Sequence, residues 1–180
     1  MKIRKIFCLA FLAVSMVVYA QSTSPSTKWH WDKGTIVVDT PARPAGQQSA
    51  LRLATPKLET VRVGFAGLGS RGPWAVNRYC HIPGVQIVAL CDYEEGRARD
   101  AQKYLRKAGL PPADIYSGEL GYVDMCKRND IDLIYVATDW DHHFPVAKCA
   151  LENGKHTAIE VPSAMNLESL DRKSGSAGMP

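Results

Sequence analysis

The chain has 180 residues, with 22 Lys+Arg against 18 Asp+Glu for a net charge of +4, 46% hydrophobic residues, 5 Cys, 14 Gly and 11 Pro. Length and apolar content exclude a disordered tail, a collagen-like repeat and a multi-spanning membrane protein.

Lys2, Arg4 and Lys5 open the chain, and residues 6–20 are apolar except for Ser15. A basic start, an apolar stretch and the small residue Ala20 form the pattern of a signal peptide over residues 1–20, which predicts an exported protein. The stretch is shorter than the roughly 20 apolar residues of a permanent bilayer-crossing helix, so no stable span is expected after cleavage. An uncleaved membrane anchor is the alternative. Losing Lys2, Arg4 and Lys5 lowers the net charge from +4 to +1. No cluster of Lys and Arg interleaved with aromatics remains, which argues against nucleic-acid binding.

Residues 21–59 read as an extended lead-in, Ser/Thr/Pro-rich at first and then broken by Pro41, Pro44 and Pro56. A short strand is expected over 35–38, and Trp29 and Trp31 are expected to pack on the domain or on a partner. From Val61 the pattern turns regular. Strands are predicted over 61–65, 85–91, 115–116, 131–136 and 156–159. Helices are predicted over 73–79, 94–108, 119–128 and 145–153, with Gly109 and Gly154 as stops. Short apolar strands alternating with helices imply an α/β fold, a Rossmann-type doubly wound parallel sheet over residues 60–170. Cys80, Cys91, Cys126 and Cys149 remain after cleavage; their spacing follows core positions, and free thiols are expected rather than a disulfide framework.

Gly67-Leu68-Gly69-Ser70-Arg71-Gly72 is a G-x-G-x-x-G between a predicted strand and a predicted helix, the context its mechanism requires. Gly67 permits a tight turn, Gly69 lets the backbone approach a pyrophosphate, and Gly72 lets the helix pack close to the strand. A plain strand-to-helix turn is the alternative. Asp92 lies 20 residues beyond Gly72 at the end of the second strand, where a carboxylate binds ribose hydroxyls and repels a 2′-phosphate. The pair predicts NAD as cofactor in preference to NADP. Arg97 and Arg99 lie nearby and are read as solvated helix charges, the alternative being that they weaken this preference.

Ala137-Thr138-Asp139-Trp140-Asp141-His142-His143 follows the fourth strand, on the side where such sheets bind ligands. It is read as a loop lining the cofactor cleft, Asp141 and His142 included. Trp140 is placed beside the nicotinamide half, and His143 offers a polar contact. Histidines capping a helix that starts near Pro145 are the alternative. A metal site is not expected, since neighbours on one turn rarely converge on one ion and no second ligand cluster exists. Glu160 in Glu160-Val161-Pro162, after the fifth strand, can reach the nicotinamide-side ribose or a substrate hydroxyl, the alternative being a surface carboxylate.

Val63-Gly64-Phe65-Ala66 with the glycine motif, Ala89-Leu90-Cys91-Asp92, Ala137-Thr138-Asp139-Trp140 and Gly154-Lys155-His156 resemble the Gfo/Idh/MocA oxidoreductase superfamily. Glu160-Val161-Pro162 stands where that superfamily has Glu-Lys-Pro, whose lysine many of its sugar dehydrogenases use. The Gly-Leu-Gly-x-Arg-Gly-Pro wording, the Thr-Asp-Trp segment, Glu-Val-Pro and the lead-in from Trp31 to Gly46 are most similar to glycoside hydrolase family 109, which includes exported bacterial α-N-acetylgalactosaminidases. The resemblance covers about residues 29–170. It implies redox-neutral, NAD-dependent glycoside cleavage, an exception to the two-carboxylate scheme. It also implies cofactor contacts by Ser70, Arg71, Asp92, Trp140, His143, Glu160 and Val161. Glycans containing N-acetylgalactosamine are the implied partners of the full-length protein, and a homo-oligomer is compatible with the resemblance. The family's substrate and proton-transfer residues lie mostly in a C-terminal α/β domain, so the chain reads as truncated before it and, alone, lacking catalysis; no catalytic residue is assigned. Residues 171–180 carry no apolar periodicity and are expected to be disordered.

Overall fold

The computed structural model describes residues 29–38, 54–166 and 169–170. The expected signal peptide (1–20) and atypical tail (171–180) lie outside the described residues.

The described chain falls in two compact units, divided after Thr40. In the first, β1 (Trp29–Asp32) and β2 (Thr35–Val38) form an antiparallel hairpin with Trp29 opposite Val38 and Asp32 opposite Thr35. Lys33 and Gly34 connect them at φ of 47° and 81°, the left-handed pair that a two-residue hairpin turn requires. The sequence predicts only the second of these strands; Lys33-Gly34 is the turn that brings the first against it. The Trp29 and Trp31 side chains are exposed.

The second unit is built on five parallel strands in the order β5-β4-β3-β6-β7: β3 (Val61–Ala66), β4 (Val85–Asp92), β5 (Asp114–Ser117), β6 (Leu133–Val136) and β7 (His156–Ile159). The chain starts in the middle of the sheet, winds outward to one edge, then returns to wind outward to the other. The helices between the strands are α1 (Gly72–Tyr79), α2 (Glu95–Lys107), α3 (Gly121–Cys126) and α4 (Trp140–Glu152). Period-two alternation sends successive strand residues to opposite faces. Val63, Phe65, Leu90 and Tyr135 join one core with Ala75, Val76, Ala98 and Leu105 of α1 and α2. Ala66, Ala89, Ile134 and Val136 join another with Met125, Val146 and Ala150 of α3 and α4. Burial on both faces is why these strands read as near-continuous apolar runs.

This is the doubly wound α/β fold expected from the sequence. The strand ends agree within two residues. Two helices differ. The third spans six residues rather than the ten expected, because Gly118 at φ 82° and the turn after it absorb its start. The fourth begins at Trp140, five residues before Pro145. Proline favours the first turn of a helix, which drew the expected start to Pro145. Asp139 overrides it: its Oδ1 accepts a hydrogen bond from the His142 N–H at 3.0 Å, an N-cap directly after β6. Pro145 is tolerated because the carbonyl it leaves without a helical donor belongs to Asp141, an exposed residue of the first turn.

All four described cysteines are free, Cys91 and Cys126 buried and Cys80 and Cys149 half-buried, as expected. Burial is the main reason the Cys91 thiol is pushed up to about 12, with the Asp92 carboxylate adding to it. At the far end of the sheet Arg62 donates to both carboxylate oxygens of Asp132 at 2.9 and 2.6 Å, tying β3 to the turn before β6. Among the described residues, no helix is long and apolar enough to cross a membrane.

Candidate functional site

The carboxyl ends of β3, β4 and β6 and the segment after β7 open on one cleft of about 850 Å³. At its base, the chain leaves β3 into the glycine turn. Gly67 donates its N–H to the Cys91 carbonyl at 2.9 Å and takes φ 89°; a Cβ there would stand 2.3 Å from the Thr138 nitrogen. A Cβ on Gly72, the first residue of α1, would stand 1.9 Å from the Gly67 oxygen. Both glycines are therefore demanded by the turn itself. Gly69 is different: a Cβ there would meet nothing nearer than Arg97 Nη1 at 3.7 Å. Its outer side faces open space, which leaves room for a ligand to approach the backbone. Above it stands the N-terminus of α1, with no acidic residue in its first turn, no side-chain cap, and Arg71 at the N-cap position. Uncapped helix N–H groups and a guanidinium are a setting for an anion.

Asp92 closes β4 and is buried. Its Oδ2 accepts from the Leu68 N–H at 2.6 Å and its Oδ1 from the Glu94 N–H at 2.9 Å. A carboxylate has about four acceptor positions, so two remain for the two hydroxyls of a ribose. The same carboxylate that would bind the ligand thus fixes the turn that would hold its phosphates.

Residues 137–139 link β6 to α4 as the expected loop, whereas residues 140–143 form the first turn of α4, which separates their side chains. Trp140 and His142 are exposed on the cleft wall, and His142 Nδ1 lies 2.6 Å from Asp139 Oδ1. His143 faces inward and is buried, its ring nitrogens 2.7 Å from the Pro162 oxygen and 3.0 Å from the Thr138 oxygen. It therefore pins the segment after β7 to the end of β6. Asp141 points away from the cleft into solvent. Glu160 lines the cleft and accepts a hydrogen bond from the Tyr135 hydroxyl at 2.6 Å, so it is not a free surface carboxylate. Burial first, and the Glu160 carboxylate second, push the Tyr135 phenol up to about 12. Val161 is 82% exposed beside it.

Of the residues singled out from the sequence, Gly67, Gly69, Ser70, Arg71, Asp92, Trp140, His142, His143, Glu160 and Val161 line this cleft; Gly72 and Asp141 do not. Tyr93, Glu119 and Tyr122 also line it and were missed. Tyr93 belongs to the turn after β4, Glu119 to the β5–α3 connection and Tyr122 to the first turn of α3, none of which carries a motif; only their place near the carboxyl ends of strands points to them. Arg97, read as a solvated helix charge, is a cleft residue, whereas Arg99 pairs with Glu95 along α2.

Residues 61–175 match the model of the Gfo/Idh/MocA oxidoreductases, the NAD-binding Rossmann fold of that family. The chain belongs to this family. Curated relatives include glycosyl hydrolase family 109 protein 3 of Phocaeicola vulgatus, 64% identical over 169 residues, covering 93% of this chain and 31% of the relative. Glycosyl hydrolase family 109 protein 1 of Bacteroides thetaiotaomicron is 51% identical over 168 residues, covering 93% and 36%. The chain thus spans about a third of the length of these relatives. Among solved structures it is similar to myo-inositol dehydrogenase from Lactobacillus casei in complex with NAD(H) and myo-inositol, at TM-score 0.57 and 26% identity, covering 65% of this chain and 33% of that one. A 3-ketoreductase from Actinomadura kijaniata in complex with TDP-benzene and NADP shares the fold, at TM-score 0.54 and 24% identity, covering 66% and 35%.

The Gfo/Idh/MocA cofactor fits these residues: an open Gly69 face, an uncapped helix N-terminus beside Arg71, and a buried carboxylate with spare acceptors lie on one cleft. The domain is an NAD-binding Rossmann domain.

Proposed function

We propose that this chain is the cofactor-binding part of an exported glycosidase acting on α-N-acetylgalactosaminides, with residues 1–20 as a cleaved signal peptide and residues 60–170 as the NAD-binding domain. The observation that carries the glycosidase reading is the 64% identity, over 93% of the chain, to a family 109 glycosyl hydrolase. In the cleft, Asp92 binds the adenosine ribose, while Ser70, Arg71 and the N-terminus of α1 receive the pyrophosphate at Gly69. Trp140, His142, His143, Glu160 and Val161 flank the nicotinamide half.

When bound, the dinucleotide would supply a hydride acceptor for the sugar C3 hydroxyl that is restored within each turnover, the chemistry that would allow a glycosidic bond to be cleaved by elimination and addition of water. The chain's own part is to hold and orient. Tyr135 fixes Glu160 from behind, and His143 anchors the carbonyl of Pro162, so the wall beside the reacting end is rigid. Val161 offers no titratable group where related dehydrogenases carry a lysine. A cofactor that is never released as NADH suits an exported enzyme with no nucleotide pool to draw on. These 180 residues alone are proposed to bind NAD without turning over sugar.

A second reading, an NAD-dependent sugar dehydrogenase, is favoured by the likeness to myo-inositol dehydrogenase. The test is to incubate a full-length protein carrying this domain with an α-N-acetylgalactosaminide and NAD+. Sugar release with no net NADH supports the glycosidase; NADH accumulating in step with sugar consumed would overturn it.

A further inference from the structure

The cleft carries equipment for both forms of the dinucleotide. Asp92 is the acceptor that suits a free 2′-hydroxyl, and an arginine close by is the group that suits a 2′-phosphate. Here that arginine, Arg97 on the first turn of α2, is held between two carboxylates. Its Nη2 lies 3.1 Å from Glu94 Oε1 and its Nη1 3.7 Å from Asp92 Oδ1. The same Nη1 is the nearest atom to the outer side of Gly69. The guanidinium therefore sits above the glycine turn, beside the carboxylate that would bind the ribose.

We propose that Glu94 is a specificity-determining residue: by pairing with Arg97 it withholds a latent 2′-phosphate ligand, so that selection of NAD over NADP rests on Glu94 together with Asp92. The proposal builds on the dinucleotide reading of the cleft. The pair is well suited to such a role because it is weak. Arg97 is 49% exposed and Glu94 60%, and ion pairs this open contribute little to stability. Glu94 caps α2 by position only and makes no side-chain cap hydrogen bond, so its carboxylate is free to serve Arg97. Its negative charge also adds to that of Asp92 on the side where a phosphate carrying nearly two charges would sit, and like charges at close range disfavour binding. Removing it leaves the guanidinium with Asp92 alone, at 3.7 Å, and frees its Nη2 for a phosphate oxygen, the kind of acceptor a guanidinium binds well.

The test is calorimetric titration of the full chain, and of its Glu94→Gln and Glu94→Gln/Arg97→Ala variants, with NAD+ and with NADP+. Glu94→Gln should tighten NADP+ binding about 5- to 10-fold while changing NAD+ affinity less than about 2-fold, an effect of one screened charge plus one freed arginine. Adding Arg97→Ala should remove most of that gain. An unchanged NADP+ to NAD+ ratio in Glu94→Gln, or a gain that survives Arg97→Ala, would overturn the role given to the pair while leaving the nucleotide site intact. No binding of NAD+ by the unmodified chain would overturn the dinucleotide reading, and this proposal with it.

Discussion

The carboxylate of Asp92 and the backbone N–H of Leu68 meet at 2.6 Å, so the acid at the end of β4 and the glycine turn at the end of β3 form one unit. With Asp92 as the proposed ribose acceptor, binding and folding are coupled at this contact. Asp92→Ala leaves the buried N–H of Leu68 and the N–H of Glu94 without their partner, a cost of about 1–3 kcal/mol for a buried group left unpaired. Urea denaturation should show that loss, and NAD+ titration a weakening of at least about tenfold. Asp92→Asn keeps one acceptor oxygen, so it should lose less stability than Asp92→Ala while still losing affinity.

The three glycines of the turn should separate into two kinds. Gly67→Ala and Gly72→Ala drive a Cβ to 2.3 and 1.9 Å from backbone atoms. Each should cost about 1–3 kcal/mol or more, or abolish soluble expression. Gly69→Ala meets nothing closer than 3.7 Å, so its stability should stay within about 0.5 kcal/mol of the unmodified chain. Its NAD+ affinity should nevertheless fall, because the methyl occupies the side from which the pyrophosphate is proposed to approach. Thermal melts with and without NAD+ read both effects.

How much of this was legible beforehand follows from where the information is local. The strands buried on both faces, the glycine spacing and Asp92 are written in short windows, and each lands where the spacing puts it. The start of α4 was misplaced because two local signals conflict, Asp139 as a cap and Pro145 as a first-turn residue, and the capping hydrogen bond decides. Hidden from any window were contacts between distant segments: Tyr135 on Glu160, His143 on Pro162, and Tyr93, Glu119 and Tyr122 on the cleft. Those depend on which strand ends the topology brings together.

Acid should loosen the sheet at its other end. The Arg62 guanidinium, donating to Asp132, holds that carboxyl below the ordinary range against the opposing effect of burial. A depressed folded value stabilises above the unfolded value of about 3.9, and that contribution is lost as pH falls through the folded value. Asp132→Asn should therefore lower the melting temperature at pH 7, and the gap to the unmodified chain should narrow below about pH 4. A gap independent of pH would mean that packing, and not the charge, holds this corner.

Thiol labelling should report the core. Burial pushes the thiols of Cys91 and Cys126 upward, so neither should react with iodoacetamide at pH 8 in the folded chain. Cys80 and Cys149 are half-buried and should react faster. Mass spectrometry of labelled peptides, native against urea-unfolded, distinguishes the two pairs.

The measurement that bears most directly on the account is titration of NAD+ into this chain and into its Gly69→Ala variant, with the melting temperature of each as the control for folding. The account predicts one saturable site in the unmodified chain, and at least tenfold weaker binding in the variant at an unchanged melting temperature. Equal affinity in the two, or no binding to a chain that melts cooperatively, would contradict it.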